Sequence, residues 1–217
     1  MTDDSRVRLV LGSKSPARLA TLRSAGVDPV VIVSDVDEDA VAAALPPDAT
    51  PAQVVSALAL AKARAVATEV SARPGPGQSL ILGCDSMLEI NGRMVGKPHT
   101  AEVAKERIAE MRNTDAVLWT GHALLSVDAE GNADGEAVEV ASTIVHFGDI
   151  ADAEIDAYVA TGEPLNVAGS FTIDGFGGPF VRGVTGDPHS VVGVSLPLLR
   201  DLAGRLGVFW PDLWNRA

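Results

Sequence analysis

Gly12-Ser13-Lys14-Ser15-Pro16-Ala17-Arg18 gathers hydroxyls, cations and a proline in one short stretch. Ser15 suits a helix N-cap and Pro16 the first helical turn, so free backbone N–H groups would lie beside Ser13, Lys14 and Arg18. A helix start of this kind favours an anion such as phosphate, although the same turn also reads as an ordinary capped helix. Asp35-Val36-Asp37-Glu38-Asp39 offers carboxylates that could hold Mg²⁺ or Mn²⁺ through oxygen ligands, or that form a solvated charged loop. Asp85 follows Leu80-Ile81-Leu82-Gly83. A carboxylate at the end of a buried strand is held firmly enough for metal binding or general-base work; it could equally cap a turn at Asp85-Ser86. Lys62 lies in a helix rich in Ala, Val and Leu, and Lys97 in a Gly-Lys-Pro turn. Each alone is an ordinary surface lysine, but with Arg18 they could hold a triphosphate by point charges and a guanidinium fork.

Other chemistries lack their residues. The chain has no G-x-x-x-x-G-K-[ST] and no G-x-G-x-x-G opening a helix after a strand. Its four histidines and single cysteine show no zinc-ligand spacing. Cys84 beside Asp85 reads as a small buried residue, since a neighbouring carboxylate disfavours the thiolate.

The elements that must position these residues follow from periodicity and punctuation. Arg6 to Gly12 reads as a buried strand, and Pro16 to about Ala25 as a helix closed by Gly26. Val30 to Val33 reads as a second strand, followed by the acidic stretch. Thr50-Pro51 opens a helix to about Ser71, and Arg73 to Gln78 is the best candidate linker. Ser79 to Gly83 is a buried strand that delivers Asp85, and Asn91-Gly92 marks a hairpin between Met87–Ile90 and Arg93–Val95. Thr100 caps a helix to about Met111. Strands near 116–127 and 137–147 follow, then a helix over 151–161, a Gly-rich irregular segment over 166–187, and a last helix from about Pro197 to Gly207. Strands and helices without strict alternation predict an α/β or α+β fold with a mixed sheet.

Composition limits the rest. A length of 217 residues with 47% apolar residues supports a sizeable core. The formal net charge of −12 repels a phosphate polymer, and aromatics at 4% leave no stacking platform, so nucleic acid is not an expected partner. A small anionic substrate stays compatible, because local Lys and Arg with a metal ion can invert the field. The polar acidic start is unlike a signal peptide, no apolar run could span a bilayer, and one cysteine suits a reducing compartment. A soluble cytoplasmic protein with no membrane partner is expected.

The set as a whole resembles the Maf family. Leu11 to Arg18, with Leu22 and Gly26, is similar to the family's opening S-x-S-P-x-R turn. Asp37-Glu38 resembles its D-E, Ala59-Leu60-Ala61-Lys62-Ala63 its helix lysine motif, Leu82 to Ser86 its strand-ending A-D-T, and Val95 to Pro98 its G-K-P. Tyr158 to Gly169 resembles Y-x-x-x-G-E-P-x-x-K-A-G, and Val191 to Pro197 resembles V-V-G-L-P-L. The matches keep the family's order over nearly the whole chain. The resemblance implies one domain over 1–217, with a mixed twisted sheet and a deep central cleft similar to the inosine-triphosphatase fold. It implies hydrolysis of nucleoside triphosphates to monophosphate and pyrophosphate with a divalent metal, Mg²⁺ or Mn²⁺, and a homodimer. Carried over, Asp85 is the catalytic proton acceptor, Glu38 with Asp85 the metal partner, and Ser13, Ser15, Arg18, Lys62 and Lys97 the substrate contacts.

Five positions depart from the family's pattern, and three of them, Ala17, Ser86 and Asp174, bear on base choice. Ala17 stands where the subfamily acting on dTTP and UTP has Arg and the one acting on 7-methyl-GTP has Trp. Ser86 replaces Thr, Asp174 replaces Gln, Val167 replaces Lys and Phe171 replaces Tyr. Broad or non-pyrimidine-restricted base choice, including modified nucleotides, is the expectation. Two alternatives remain: a phosphatase of another phosphorylated metabolite, and a non-catalytic nucleotide-binding regulator of cell division.

Overall fold

Helix α3 (Pro51–Ala72) is started by a reciprocal cap. The Thr50 hydroxyl accepts from the Gln53 N–H at 3.3 Å while the Gln53 side chain accepts from the Thr50 N–H at 2.8 Å. Its buried residues recur at helical spacing, Val55, Ala59, Lys62, Ala63, Val66 and Val70, so one stripe faces the sheet. The computed structural model describes residues 7–215. Its contacts divide the chain into two compact units. The first takes the described residues up to Asp85, Thr120–Ala141 and the chain from Gly193 on; the second takes Ser86–Trp119 and Ser142–Val192.

In the first unit, β1 (Arg8–Leu11) pairs in parallel with β2 (Val30–Val31) and with β3 (Ser79–Ile90), placing Val10 opposite both Val30 and Ile81. Alternation along the strands feeds two apolar layers. Leu9, Leu11, Leu80 and Leu82 pack with Leu22 of α1 (Pro16–Ser24) and Leu199 of α7 (Leu196–Arg205). Val10 and Ile81 pack with Ala59, Ala63 and Val66 of α3. Glycines let α3 lie directly on the strands. A Cβ at Gly83 would meet the Ala59 carbonyl oxygen at 2.2 Å, and one at Gly121 would meet the Val55 carbonyl oxygen at 2.2 Å. Gly121 belongs to β5 (Asp115–Val127), which is followed by β6 (Ala133–Phe147).

In the second unit, the end of β3 turns through Asn91 (φ 50°) and Gly92 (φ 72°) into β4 (Arg93–Val95), with Ile90 opposite Arg93. Two successive positive φ values are what a two-residue hairpin loop needs. Thr100 caps α4 (Ala101–Met111), whose Ala104, Ile108 and Met111 are buried. Helix α5 (Asp152–Ala160) contributes Ile155 and Val159 to the same core, where Phe147 and Phe171 meet edge to face at 4.9 Å. Strand β7 (Val181–Thr185) runs antiparallel to β6, and the short α6 (Pro188–Val192) follows it. The strand order is β2-β1-β3-β5-β6-β7, with β4 on β3. This is the mixed α/β sheet expected from the sequence.

Four local expectations differ. The buried strand does not end at Gly83: β3 continues without a break through Asp85 to Ile90. The acidic stretch is not only a loop, since the Asp37 carboxylate caps α2 (Glu38–Ala43) by accepting from the Ala40 N–H at 2.9 Å. The Gly-rich segment contains β7, and 73–78 joins α3 to β3 inside one unit instead of separating two. Arg6, expected to begin the first strand, lies outside the described residues.

Candidate active site

The Ser-rich turn is built as its residues imply. The Gly12 N–H donates to the Leu82 carbonyl at 2.8 Å, which carries the pairing of β1 one residue past its end. The Ser15 hydroxyl accepts from the Arg18 N–H at 3.4 Å and Pro16 takes the first helical position. Ser13 is buried, and its hydroxyl accepts from the Ser15 N–H at 3.2 Å and from Arg18 Nη1 at 3.0 Å. Arg18 Nε donates to the Gly193 carbonyl at 2.7 Å, so the guanidinium is seated at two points. Ala17 is half-buried beside it, and Lys14 is exposed.

Lys62 and Asp85 meet because α3 rests on Gly83, two residues before Asp85 in β3. Lys62 Nζ lies 2.6 Å from Asp85 Oδ1 and 2.9 Å from Glu38 Oε1. The lysine and the aspartate are buried, with side chains 11% and 10% exposed, whereas Glu38 is 55% exposed in the first turn of α2. An ammonium with carboxylates on either side accounts for a lysine on the buried stripe of α3, since a buried charge needs a partner. The carboxylates of Asp85 and Glu38 therefore converge on one point, the position of Nζ.

Arg18 belongs to the same neighbourhood. The Cys84 thiol is pushed up to about 11 by burial, while Arg18 and Lys62 pull it down and Asp85 raises it. All three charges thus act on one strand position. Cys84 itself is a buried, protonated thiol, as its sequence neighbours suggest.

Ser86, Lys97 and Asp174 lie in the second unit. Ser86 is half-buried in β3. Lys97 is exposed in a loop fixed by its neighbours: the Gly96 carbonyl accepts from Arg107 Nη1 at 2.7 Å and the His99 N–H donates to Leu165 at 3.1 Å. Asp174 is exposed in a loop organised by Glu163, whose carboxylate accepts from the Thr172 hydroxyl at 2.5 Å and from the Phe176 and Gly177 N–H groups at 3.1 and 3.2 Å. Burial works to raise the Glu163 carboxyl, but hydrogen bonds from Thr172, Phe176, Tyr158 and Gly177 outweigh it and hold it below its usual range.

Sequence reasoning missed Gly193 and Glu163. Both sit inside quoted motifs, in Val191 to Pro197 and in Gly162-Glu163-Pro164, which was the available signal. It also set aside His122 for want of a metal-ligand spacing.

Comparison with known proteins adds a separate line. A family model described as Maf-like protein matches residues 8–206. A nucleoside triphosphate pyrophosphatase of Nocardia farcinica is 54% identical over 207 residues, covering 95% of this chain and 96% of that protein. A protein of the same name from Rhodococcus opacus is 54% identical over 205 residues, covering 94% of this chain and 95% of that one. Among solved structures, a nucleoside-triphosphatase / dITP/XTP pyrophosphatase from Mycobacterium abscessus aligns over 66% of this chain and 75% of its own, with 18% identity and a TM-score of 0.34.

Proposed function

The chain belongs to the Maf-like family, and from that membership we propose that it is a nucleoside triphosphate pyrophosphatase that releases monophosphate and pyrophosphate. The observation that carries the proposal is a buried carboxylate, Asp85, held 2.6 Å from a buried ammonium, Lys62, with Arg18 acting on the adjoining residue. Phosphoryl transfer asks for this combination of positioned base and fixed cations, because the transition-state charge is spread over phosphate oxygens. Relatives named for this activity, about half identical over nearly their whole length, support the same reading.

In this mechanism water attacks the α-phosphorus and the bond to the bridging oxygen of the β-phosphate breaks. Asp85 accepts the proton from the attacking water. Lys62 and Arg18 hold phosphate oxygens, and Ser13 and Ser15 fix the turn that seats Arg18. Lys97 and Asp174 keep the roles implied by the resemblance, triphosphate contact and base choice.

A divalent ion, Mg²⁺ or Mn²⁺, is part of the proposal. Asp85 and Glu38 both reach the one point now held by Lys62 Nζ, and two carboxylates completed by substrate phosphates and water is how Mg²⁺ is commonly bound. The oxygen donors suit the ion once Lys62 Nζ turns from that point to the phosphate oxygens. When bound, it would neutralise charge on the phosphates and orient their oxygens.

Base choice is proposed to be broad. Ala17 carries a methyl group, which can neither hydrogen-bond a pyrimidine nor stack on a methylated purine. Asp174 when ionised only accepts. A homodimer and a cytoplasmic location complete the proposal; no helix among the described residues is long and apolar enough to cross a membrane. The test is purified protein with Mg²⁺ or Mn²⁺, a panel of nucleoside triphosphates and pyrophosphate detection. Activity is expected to vanish with EDTA and return with the ion; orthophosphate released in place of pyrophosphate would favour a phosphatase instead.

A further inference from the structure

His122 is fully buried in β5, and both of its ring nitrogens point at backbone. Nε2 lies 2.8 Å from the Ser195 nitrogen and Nδ1 lies 3.0 Å from the Thr120 carbonyl oxygen. A backbone N–H can only donate, so Nε2 carries the lone pair and the ring proton sits on Nδ1, facing Thr120. Ser195 in turn caps α7, its hydroxyl accepting from the Leu198 N–H at 3.3 Å. Two residues before it, the Gly193 carbonyl receives Arg18 Nε at 2.7 Å. Gly193 has φ +125°, and a Cβ there would lie 3.0 Å from Arg18 Nε, so its backbone is moulded to the guanidinium.

Resting on the reading of Arg18 as a triphosphate contact, we infer that His122 is a positioning residue for Arg18. It acts through the strap Gly193-Val194-Ser195. The imidazole supplies the acceptor that fixes Ser195, the fixed strap presents the Gly193 carbonyl, and that carbonyl holds Nε while Ser13 holds Nη1. An apolar side chain of similar size would fill the space but would leave the Ser195 N–H unpaired and the strap free to shift. The guanidinium would then lose its hold on the Gly193 carbonyl. This gives a role to a histidine that takes no part in the chemistry itself.

The test is a double-mutant cycle on the full chain, with the full panel of substrates. His122→Asn is too short to reach Ser195 but can still meet Thr120; His122→Gln can extend an acceptor to Ser195. His122→Asn is expected to raise KM about tenfold with kcat nearly unchanged, the signature of lost uniform binding. His122→Gln should restore most of it. In an Arg18→Ala background His122→Asn should add less than about twofold, because residues acting through one another are not additive. If His122→Asn fails to fold, His122→Met, of similar volume and without a strong acceptor, takes its place. An equal rise in KM in both backgrounds means a general structural role and overturns the inference, as does an unchanged KM in the folded His122 variant. If Arg18→Ala alone leaves KM unchanged, the triphosphate contact fails first and the inference with it.

Discussion

Lys62 Nζ and Asp85 Oδ1 stand 2.6 Å apart in the folded chain although 23 residues separate them in sequence. A helix and a strand create this pair, and Glu38 joins it at 2.9 Å from a third element. The two ends of the pair are therefore not equivalent.

Lys62→Met leaves Asp85 buried without its cation, and Asp85→Asn leaves Lys62 with Glu38. Breaking a buried pair typically costs about 3–5 kcal/mol. The lysine variant is expected to lose stability near the lower end of that range and the asparagine variant clearly less. Turnover should fall in both, by about 10²–10⁴-fold for Asp85→Asn. Urea unfolding and initial rates on the same preparations decide it. Equal destabilisation by the two substitutions would remove Glu38 from the arrangement.

Gly83 is expected to be as sensitive as the charges it brings together. A Cβ there would meet the Ala59 carbonyl oxygen at 2.2 Å and the Ala63 nitrogen at 2.7 Å, backbone atoms that cannot swing aside. Gly83→Ala should push α3 off β3, lowering stability by about 1–3 kcal/mol or more and weakening turnover. Gly204→Ala, whose Cβ meets nothing within 4 Å in α7, is the control and should be neutral or mildly stabilising. A silent Gly83→Ala would mean that the contact is looser than its geometry.

Cys84 gives stability a pH dependence with a definite sign. Its folded pKa is raised from 9.0 to about 11, chiefly by burial. The unfolded chain therefore releases its thiol proton first, and the contribution is complete below pH 9 and lost between pH 9 and about 11. Two units correspond to about 3 kcal/mol. Denaturant midpoints across that range should fall more steeply in the parent chain than in Cys84→Ala. Identical slopes would contradict a buried thiol.

Base discrimination is expected to be shallow. One buried hydrogen bond gained or lost changes affinity by about 1–3 kcal/mol, so preferences among triphosphates should lie within about tenfold to a hundredfold. Comparison of kcat/KM across common and modified triphosphates tests this. A preference above about a thousandfold for dTTP and UTP, or for 7-methyl-GTP, would exceed what Ala17 and Asp174 can provide.

Much of this was legible in the sequence, for local reasons. A proline after a serine, an Asn-Gly pair and a threonine before a proline each specify a turn or cap by their own chemistry. Lys62 and Asp85 drew notice as charges among apolar neighbours. What escaped was non-local or masked. β7 hides in a Gly-rich stretch because Gly183 interrupts its pattern, and α2 hides because Asp37 reads as one more acidic residue until its cap is seen. The extension of β3 past Asp85 depends on sheet partners that no local window contains. The links from His122 to Ser195 and from Arg18 to Gly193 join residues 73 and 175 positions apart, which no spacing rule reaches.

The most direct test of the proposed reaction is the fate of the oxygen that attacks. Hydrolysis of a nucleoside triphosphate in water enriched in a heavy oxygen isotope, followed by mass spectrometry of both products, locates it. Attack at the α-phosphorus with Asp85 as proton acceptor places the label in the nucleoside monophosphate and leaves the pyrophosphate unlabelled, and Asp85→Asn should suppress the labelled product about 10²–10⁴-fold. Label in pyrophosphate, or release of labelled orthophosphate with nucleoside diphosphate, would contradict it.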